Sequence, residues 1–205
     1  EFTLLSDAER MQLSEVLVEQ NNGRIPVVIG VAGVSKEVAA MFARHARSIG
    51  ADSLIAMPPY VKRGEPSVKA VFDYYSAISD AGQRPIWIQN YVPPIGTDLS
   101  VEVMIKLCRE IEYVKYIKEE TVPSTVKISA IKAQGVGIVR AIMGGSGGRY
   151  LIEEHRRGVD GQMPGCHLTD IEVALWNALE AGDQQKAMYI YKEMAPMFFF
   201  EAQMP

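Results

Sequence analysis

The sequence predicts an α/β fold in one domain, and three observations lead to this prediction. Strand-like and helix-like patterns alternate along all 205 residues. The connections between them are short, and no low-complexity segment or linker divides the chain. Hydrophobic residues make up 48% of the sequence, which is enough for a sizeable core. Repeated strand–helix units with short connections imply a parallel sheet that is covered by helices.

Six segments are predicted to be strands, because each is a short run rich in apolar and β-branched residues. Glycine or proline bounds several of them, as at Gly30, Pro58 and Gly144. The strands are expected at residues 25–31, 53–57, 85–90, 113–121, 136–143 and 159–163. The last of these has the weakest pattern.

Helices are predicted between the strands and at both ends of the chain. Ser6, Ser35 and Ser100 stand directly before helical patterns, where a hydroxyl group caps the first turn. The helices are expected at about residues 7–20, 36–50, 66–81, 101–111, 123–133, 149–157, 169–180 and 184–197. The last two form a C-terminal helical segment that starts near residue 168.

Two architectures fit this order, an open doubly wound sheet and a (β/α)₈ TIM barrel. The first predicted strand is not followed by a Gly-x-Gly-x-x-Gly turn, which weakens the prediction of a dinucleotide-binding fold. A closed barrel needs eight strands, and the chain starts on a helix. The simplest account is one domain over residues 1–205 that is a TIM barrel without its first two βα units. Six such strands alone leave two unpaired edges.

Charge and composition exclude several classes of function. The net charge of −4 gives no basic surface for nucleic acid. No apolar run is long enough to span a membrane, and the first residues do not resemble a secretory signal. Cys108 and Cys166 match no metal or redox spacing, so we expect two buried thiols in a reducing compartment. This favours a cytoplasmic protein that binds neither nucleic acid nor membrane.

The stretch at residues 113–121 carries the strongest chemical signal. In a strand, Lys118 and Glu120 share one face, whereas Lys115 and Glu119 share the other. On a surface strand the Lys118–Glu120 pair would be a solvated ion pair of little energetic consequence. Inside a barrel, desolvation favours the neutral amine of Lys118, which would then be a nucleophile beside a proton-transfer group.

Five segments carry motifs in a fixed order along the chain, namely residues 1–10, Gly30-Val31-Ala32-Gly33, Pro58-Pro59-Tyr60, Gln89-Asn90 and Tyr116-Ile117-Lys118-Glu119. These motifs resemble, in the same order, those of the dihydrodipicolinate synthase and N-acetylneuraminate lyase superfamily. The superfamily contains class I aldolases and dehydratases on a (β/α)₈ barrel, and it forms a Schiff base on a lysine in a Gly-Ile-Lys-Glu/Asp motif.

The resemblance implies that Lys118 forms an imine with a small 2-keto acid and that no metal or organic cofactor is needed. It also implies a homotetramer, and it places the loop that binds the substrate carboxylate before residue 1. Gln89 stands where the aldolases have a proton-relaying tyrosine, and Val61 replaces the second tyrosine of a pair that begins at Tyr60. The loop at residues 92–96 has no arginine, which argues against dihydrodipicolinate synthesis.

Glu120 departs from the family, which commonly has a small residue at this position. It could move protons beside the Schiff base, or it could face outward or cap the next helix. Glu119 is expected to pair or cap on the outer face, and Lys115 to lie at the surface. Candidate contacts to the substrate come from six further residues at or after predicted strand ends, namely Tyr60, Asn90, Tyr91, Gly144, Gly145 and His167.

Structural explanations stand beside these candidates. Tyr91 could simply pack in its loop, the glycines could form a tight turn, and His167 could be a loop or capping residue. We interpret the chain as a Schiff-base lyase that dehydrates a 2-keto-3-deoxy sugar acid, with Lys118, Glu120 and Gln89 as catalytic residues. The expected substrate is 2-keto-3-deoxy-L-arabonate. The alternatives are a pyruvate-dependent aldolase or synthase, and a non-catalytic homologue that binds 2-keto acids.

Overall fold

A computed structural model describes residues 2–60, 66–92, 96–201 and 203. It contains one sheet of six parallel strands, hydrogen-bonded in chain order from β1 to β6. The strands are β1 Val28–Gly30, β2 Ser53–Ala56, β3 Ile86–Asn90, β4 Val114–Glu119, β5 Ala141–Gly144 and β6 Gly161–Gln162. The predicted α/β class and the parallel sheet are therefore confirmed.

Helices connect the strands and complete the chain. They are α1 Asp7–Asn21, α2 Lys36–Ser48, α3 Val68–Gly82, α4 Val101–Glu110, α5 Ser124–Gln134, α6 Leu151–Arg156, α7 Thr169–Glu180 and α8 Gln184–Glu201. The predicted caps are confirmed, because the hydroxyl oxygens of Ser6, Ser35 and Ser100 each accept a hydrogen bond from a backbone N–H in the first turn. In the part of the chain that the structure describes, no helix is long and apolar enough to cross a bilayer.

Several predicted boundaries were wrong, and the largest error lies before β5. Residues 136–138 form a turn and not the start of a strand, because the N–H groups of Ile138 and Val139 donate to the carbonyl of Gly135. This chain reversal after α5 leaves a strand of four residues, three of which pair with β4. Strands β1 and β6 are likewise shorter than predicted, and α8 continues through Pro196 to Glu201.

The main core lies between the sheet and the helices, and the outward-facing residues of the strands fill it. Leu54, Ile86, Ile88 and Ile117 are fully buried there. A second, smaller cluster packs α6 against α7 and α8. Because the six strands are parallel, their carboxyl ends all lie at the same edge of the sheet.

The two cysteines differ, and both thiols are free. Cys108 is buried, and burial raises the pKa of its thiol to about 12. The prediction for Cys166 was wrong, since this residue is exposed in a short 3₁₀ helix over residues 166–168. Lys115 is not a free surface residue either, because its amine reaches the carbonyls of Cys108 and Ile111 at the end of α4.

Candidate active site

Lys118 and Glu120 lie together at the carboxyl end of β4, as predicted. Lys118 is the fifth residue of the strand and Glu120 follows its last residue, so their side chains point to the same face. The Nζ atom of Lys118 lies 3.3 Å from Oε1 of Glu120. Their side chains are 13% and 5% exposed, respectively, so this ion pair is largely withdrawn from water. The alternative that Glu120 faces outward is therefore wrong.

Two neighbouring strands supply further hydrogen bonds to Glu120. Gln89 on β3 donates from Nε2 to Oε2 over 2.8 Å, and the backbone N–H of Ser146 donates to Oε1 over 2.8 Å. Gln89 is also the register partner of Lys118. Because these donors come from the ends of β3 and β5, the sheet itself fixes the direction of the carboxylate.

A stacked aromatic pair lies one layer below these polar groups. Trp87 and Tyr116 each precede a site residue by two positions, which places them on the same face of their strands as Gln89 and Lys118. Their ring centroids are 4.5 Å apart and their planes are 27° from parallel.

Gly144 and Gly145 leave room for two different carboxyl groups. A Cβ atom on Gly145 would lie 2.2 Å from Oε1 of Glu120 and 2.6 Å from Cε of Lys118. A Cβ atom on Gly144 would lie 1.8 Å from Oε2 of Glu154, on the opposite face of β5. The structure thus gives a steric reason for both glycines, in addition to the backbone contact to ligand that we predicted.

The outer face of β4 carries a separate polar cluster around Glu119, as predicted for this residue. Glu119 is completely buried and accepts hydrogen bonds from Asn90 Nδ2 over 2.8 Å, from the backbone N–H of Thr121 over 2.8 Å, and from the Thr121 hydroxyl. Burial raises the pKa of its carboxyl group against the effect of these donors. The Asn90 amide also exchanges hydrogen bonds with the backbone of Leu99. The Asn90 side chain therefore forms its hydrogen bonds on the outer face, whereas we predicted that it contacts the substrate.

A second buried carboxyl group, Glu154 on α6, was not predicted. It accepts hydrogen bonds of 2.5 Å from Ser124 Oγ and from Gln162 Nε2, and it is completely buried. Burial raises the pKa of this carboxyl group, and Glu120 and Glu119 raise it further by charge repulsion. Its position three residues after the buried Leu151 could have indicated an inward direction.

The structure places the other candidates as follows. Tyr60 is half-buried and packs edge-on against Phe2, with ring centroids 6.0 Å apart. Tyr91 packs against the main core after β3. His167 lies in the exposed 3₁₀ helix, and its imidazole folds against Gly165. Their roles stay predictions.

Two of the predicted features lie outside the residues that the structure describes. Residues 93–95 of the loop without an arginine, and Val61 after Tyr60, are outside the described part of the chain. Within residues 2–60, 66–92, 96–201 and 203, no group of three or more histidine, cysteine, aspartate or glutamate side chains could hold a metal ion. The chemistry that this arrangement can perform is amine addition and proton transfer.

The sequence that carries this site matches a known family over almost its whole length. Residues 1–202 match the dihydrodipicolinate synthetase family. The chain belongs to this family. In structural terms it resembles dihydrodipicolinate synthase from Acinetobacter baumannii, solved in complex with pyruvate, with a TM-score of 0.87 at 24% identity over the whole chain and 69% of that protein. At this identity the likeness shows the fold.

Curated members of the dihydrodipicolinate synthetase family differ in activity. The L-2-keto-3-deoxyarabonate dehydratase of Azospirillum brasilense is 29% identical over 198 residues, which are 96% of this chain and 64% of that protein. The probable 2-dehydro-3-deoxy-D-pentonate aldolase YjhH of Escherichia coli is 34% identical over 119 residues, which are 58% of this chain and 39% of that protein. The chain thus spans less than two thirds of the length of these relatives.

Proposed function

We propose that the protein is a Schiff-base lyase that dehydrates a 2-keto-3-deoxy sugar acid, with 2-keto-3-deoxy-L-arabonate as substrate. The observation that carries this proposal is the position of the Glu120 carboxylate, which contacts Lys118 and Gln89 at the same time. The similarity to the dehydratase of Azospirillum brasilense over 96% of the chain supports the choice of substrate.

The sheet in this proposal is part of an eight-stranded barrel. Among the described strands, β1 and β6 each have only one neighbour, and an unpaired edge of this kind invites aggregation. Two further strands between these edges would close a barrel of the TIM type and enclose Lys118. The greater length of the relatives supports two additional βα units in the natural protein.

Lys118 starts the reaction in this mechanism. Its neutral amine adds to the C2 ketone, and loss of one water leaves an iminium group on Nζ. The iminium draws electrons from the C2–C3 bond, so that a proton on C3 becomes acidic. No organic cofactor is needed, because the iminium itself accepts the electron pair.

Glu120 then moves the proton. C3 is two bonds from Nζ, so a carboxylate 3.3 Å from Nζ is within reach of the C3 proton. The resulting enamine expels the C4 hydroxyl group, which leaves as water with the proton that Glu120 had taken. Hydrolysis frees Lys118, and a shift of the new double bond converts the C5 alcohol to an aldehyde. The product is 2-oxoglutarate semialdehyde, and the net change is the loss of one water.

Gln89 is the reason for preferring dehydration. An amide neither gives nor takes a proton, so Gln89 cannot relay a proton to or from an aldehyde oxygen as a tyrosine could. Its Nε2 group instead holds Glu120 in place. The similarity to an aldolase of Escherichia coli keeps cleavage of the C3–C4 bond as the second candidate, with pyruvate as a product.

The test uses the natural full-length protein with 2-keto-3-deoxy-L-arabonate, while semialdehyde and pyruvate are both measured. Borohydride is added in parallel, and the modified peptide is mapped by mass spectrometry. We expect semialdehyde and an adduct on Lys118. Pyruvate would instead indicate the aldolase, and no adduct with any 2-keto acid would indicate a non-catalytic homologue.

A matched pair of variants makes the test specific to one lysine. Lys118→Arg keeps the positive charge but cannot form an imine, so we expect loss of both adduct and turnover. Lys115→Arg alters a lysine of the same strand that faces α4, and it should keep both. An adduct that survives in Lys118→Arg would contradict the mechanism.

The remaining expectations belong to the same proposal. The partner is a small 2-keto acid. By resemblance the protein is cytoplasmic and forms a homotetramer. Analytical sedimentation of the full-length protein would test the tetramer.

A further inference from the structure

We propose that Glu154 is a positioning residue that stays in its neutral acid form and holds the Gly144–Ser146 segment against Glu120. The inference deepens the proposed function and, for its effect on turnover, rests on it. Nothing in the proposed chemistry uses Glu154, yet its carboxyl group is completely buried behind the site.

The position of Glu154 joins three parts of the fold. Its two oxygens accept hydrogen bonds from Ser124, the first residue of α5, and from Gln162 at the end of β6. Between these contacts it lies directly behind Gly144, where a side chain on that residue would overlap Oε2. The carboxyl group therefore backs the end of β5 from the helical side.

The front of the same segment faces the catalytic groups. A Cβ atom on Gly145 would touch Glu120 and Lys118, and the next residue, Ser146, donates its N–H to Glu120. Residues 144–146 are therefore held between Glu154 on one side and Glu120 on the other. Loss of the support behind Gly144 would let the Ser146 N–H move away from Glu120.

The charged surroundings of Glu154 favour its neutral form. From β4 it is faced by the carboxyl groups of Glu119 and Glu120, which both repel a negative charge on it. Strands β5 and β6 contribute no titratable side chain. The amine of Lys118 is paired with Glu120, and Lys127 of α5 binds Asp98 and the carbonyl of Leu99.

The hydrogen-bond partners of Glu154, compared with those of Glu119, also favour a neutral Glu154. Glu119 accepts from a backbone N–H, which cannot reverse its role, so one of its oxygens must stay an acceptor. Among the described residues, Glu154 has a hydroxyl and a side-chain amide as its hydrogen-bond partners. The hydroxyl of Ser124 can accept as well as donate, and the amide of Gln162 can turn to present Oε1, which has no hydrogen-bond partner among the described residues. A neutral Glu154 therefore finds an acceptor at either oxygen.

The first experiment measures stability and does not depend on the reaction. Urea unfolding of the full-length wild type and of Glu154→Gln is followed from about pH 5 to about pH 9. A carboxyl group whose folded-state pKa is raised keeps its proton longer in the folded than in the unfolded state. Its contribution to stability is therefore present at low pH and is lost as pH rises from the ordinary value through the raised one.

We expect the unfolding midpoint of the wild type to fall relative to that of Glu154→Gln as pH rises. The glutamine imitates the neutral acid at every pH, so its own contribution does not change. Glu153→Gln is the control, because Glu153 is the exposed neighbour on the same helix and pairs with Arg156. A midpoint difference that is constant, or that rises in favour of the wild type, would overturn the neutral assignment.

The second experiment measures the effect on turnover. We expect Glu154→Gln to keep the wild-type kcat within about twofold, and Glu154→Ala to lose at least about tenfold in kcat with little change in KM. Ser124→Ala, which leaves the carboxyl group in place, is the milder variant if Glu154→Ala does not fold, and its kcat should fall in the same direction. Unchanged kcat in a folded Glu154→Ala or Ser124→Ala would exclude the positioning role.

Together, the two experiments distinguish a failure of the proposed function from a failure of the inference about Glu154. If the wild type shows no turnover with any 2-keto acid, the proposed function fails, and with it the positioning role in that reaction. The unfolding series still decides the protonation state of Glu154. If turnover is present and Glu154→Gln is as impaired as Glu154→Ala, only the inference about Glu154 fails.

Discussion

Adjacent glutamates on β4 occupy opposite faces of the sheet and have different surroundings. On the inner face, Glu120 lies 3.3 Å from the amine of Lys118. On the outer face, Glu119 is completely buried and is held by Asn90 and Thr121. The inner carboxyl group contacts the lysine amine and the outer one joins neighbouring strands, because successive side chains of a strand point in opposite directions.

The outer cluster also explains how the inner one is kept in place. Asn90 ties the end of β3 to Glu119 on β4 and to the backbone of Leu99. Glu154 likewise ties the end of β6 to the start of α5 through Gln162 and Ser124. The reactive groups thus depend on a second layer of buried polar contacts behind the strands. The comparison predicts that variants of the inner face change turnover, whereas variants of the cluster around Glu119 on the outer face of β4 change stability.

The largest expected effect comes from Glu120→Gln on the inner face. Removing a group that transfers protons lowers kcat by about 10²–10⁴-fold, while borohydride should still trap substrate on Lys118. The measurement is kcat together with the yield of the mapped adduct. Wild-type kcat in this variant would mean that another group moves the proton.

A pair of glycine variants compares the two faces at neighbouring positions. Gly145→Ala places a methyl group against Glu120 and Lys118, and Gly144→Ala places one against Glu154. Overpacking a buried site costs about 1–3 kcal/mol of stability, and we expect this loss in Gly144→Ala. Gly145→Ala should instead lose adduct formation, because the amine and the carboxylate are displaced directly.

The measurements for this pair are the free energy of unfolding and the rate of borohydride trapping. A Gly145→Ala variant that forms the adduct at the wild-type rate would contradict the packing described at Lys118.

The smallest expected effect comes from Thr121→Val on the outer face. Valine keeps the shape of threonine and removes the hydroxyl group that donates to Glu119. Loss of one hydrogen bond to a buried carboxyl group costs about 1–2 kcal/mol of stability, and kcat should stay near that of the wild type. A large fall in kcat with unchanged stability would show that the outer cluster contributes to the chemistry itself.

The sequence predicted the inner face well and the outer face poorly. The two-residue spacing of Lys118 and Glu120 is enough to place both on one side of a strand. Asn90 was predicted to bind substrate because the Gln89-Asn90 motif resembles the family's, although alternation along β3 sends its side chain the other way. The three-residue spacing from Leu151 is the one local signal that separates the buried Glu154 from the exposed Glu153, because the rotation of a helix about its axis is otherwise fixed by packing.

By itself, the sequence determined the order of elements, the serine caps and the parallel α/β class. These features depend on periodicity and on hydrogen bonds within a few residues, so they are encoded locally. Tertiary structure alone decided that Ser146 and Gln89 both bind Glu120, that two glycines make room for two acids, and that Glu154 is buried behind them. These contacts join residues that are far apart in the chain, and the register of neighbouring strands brings them together.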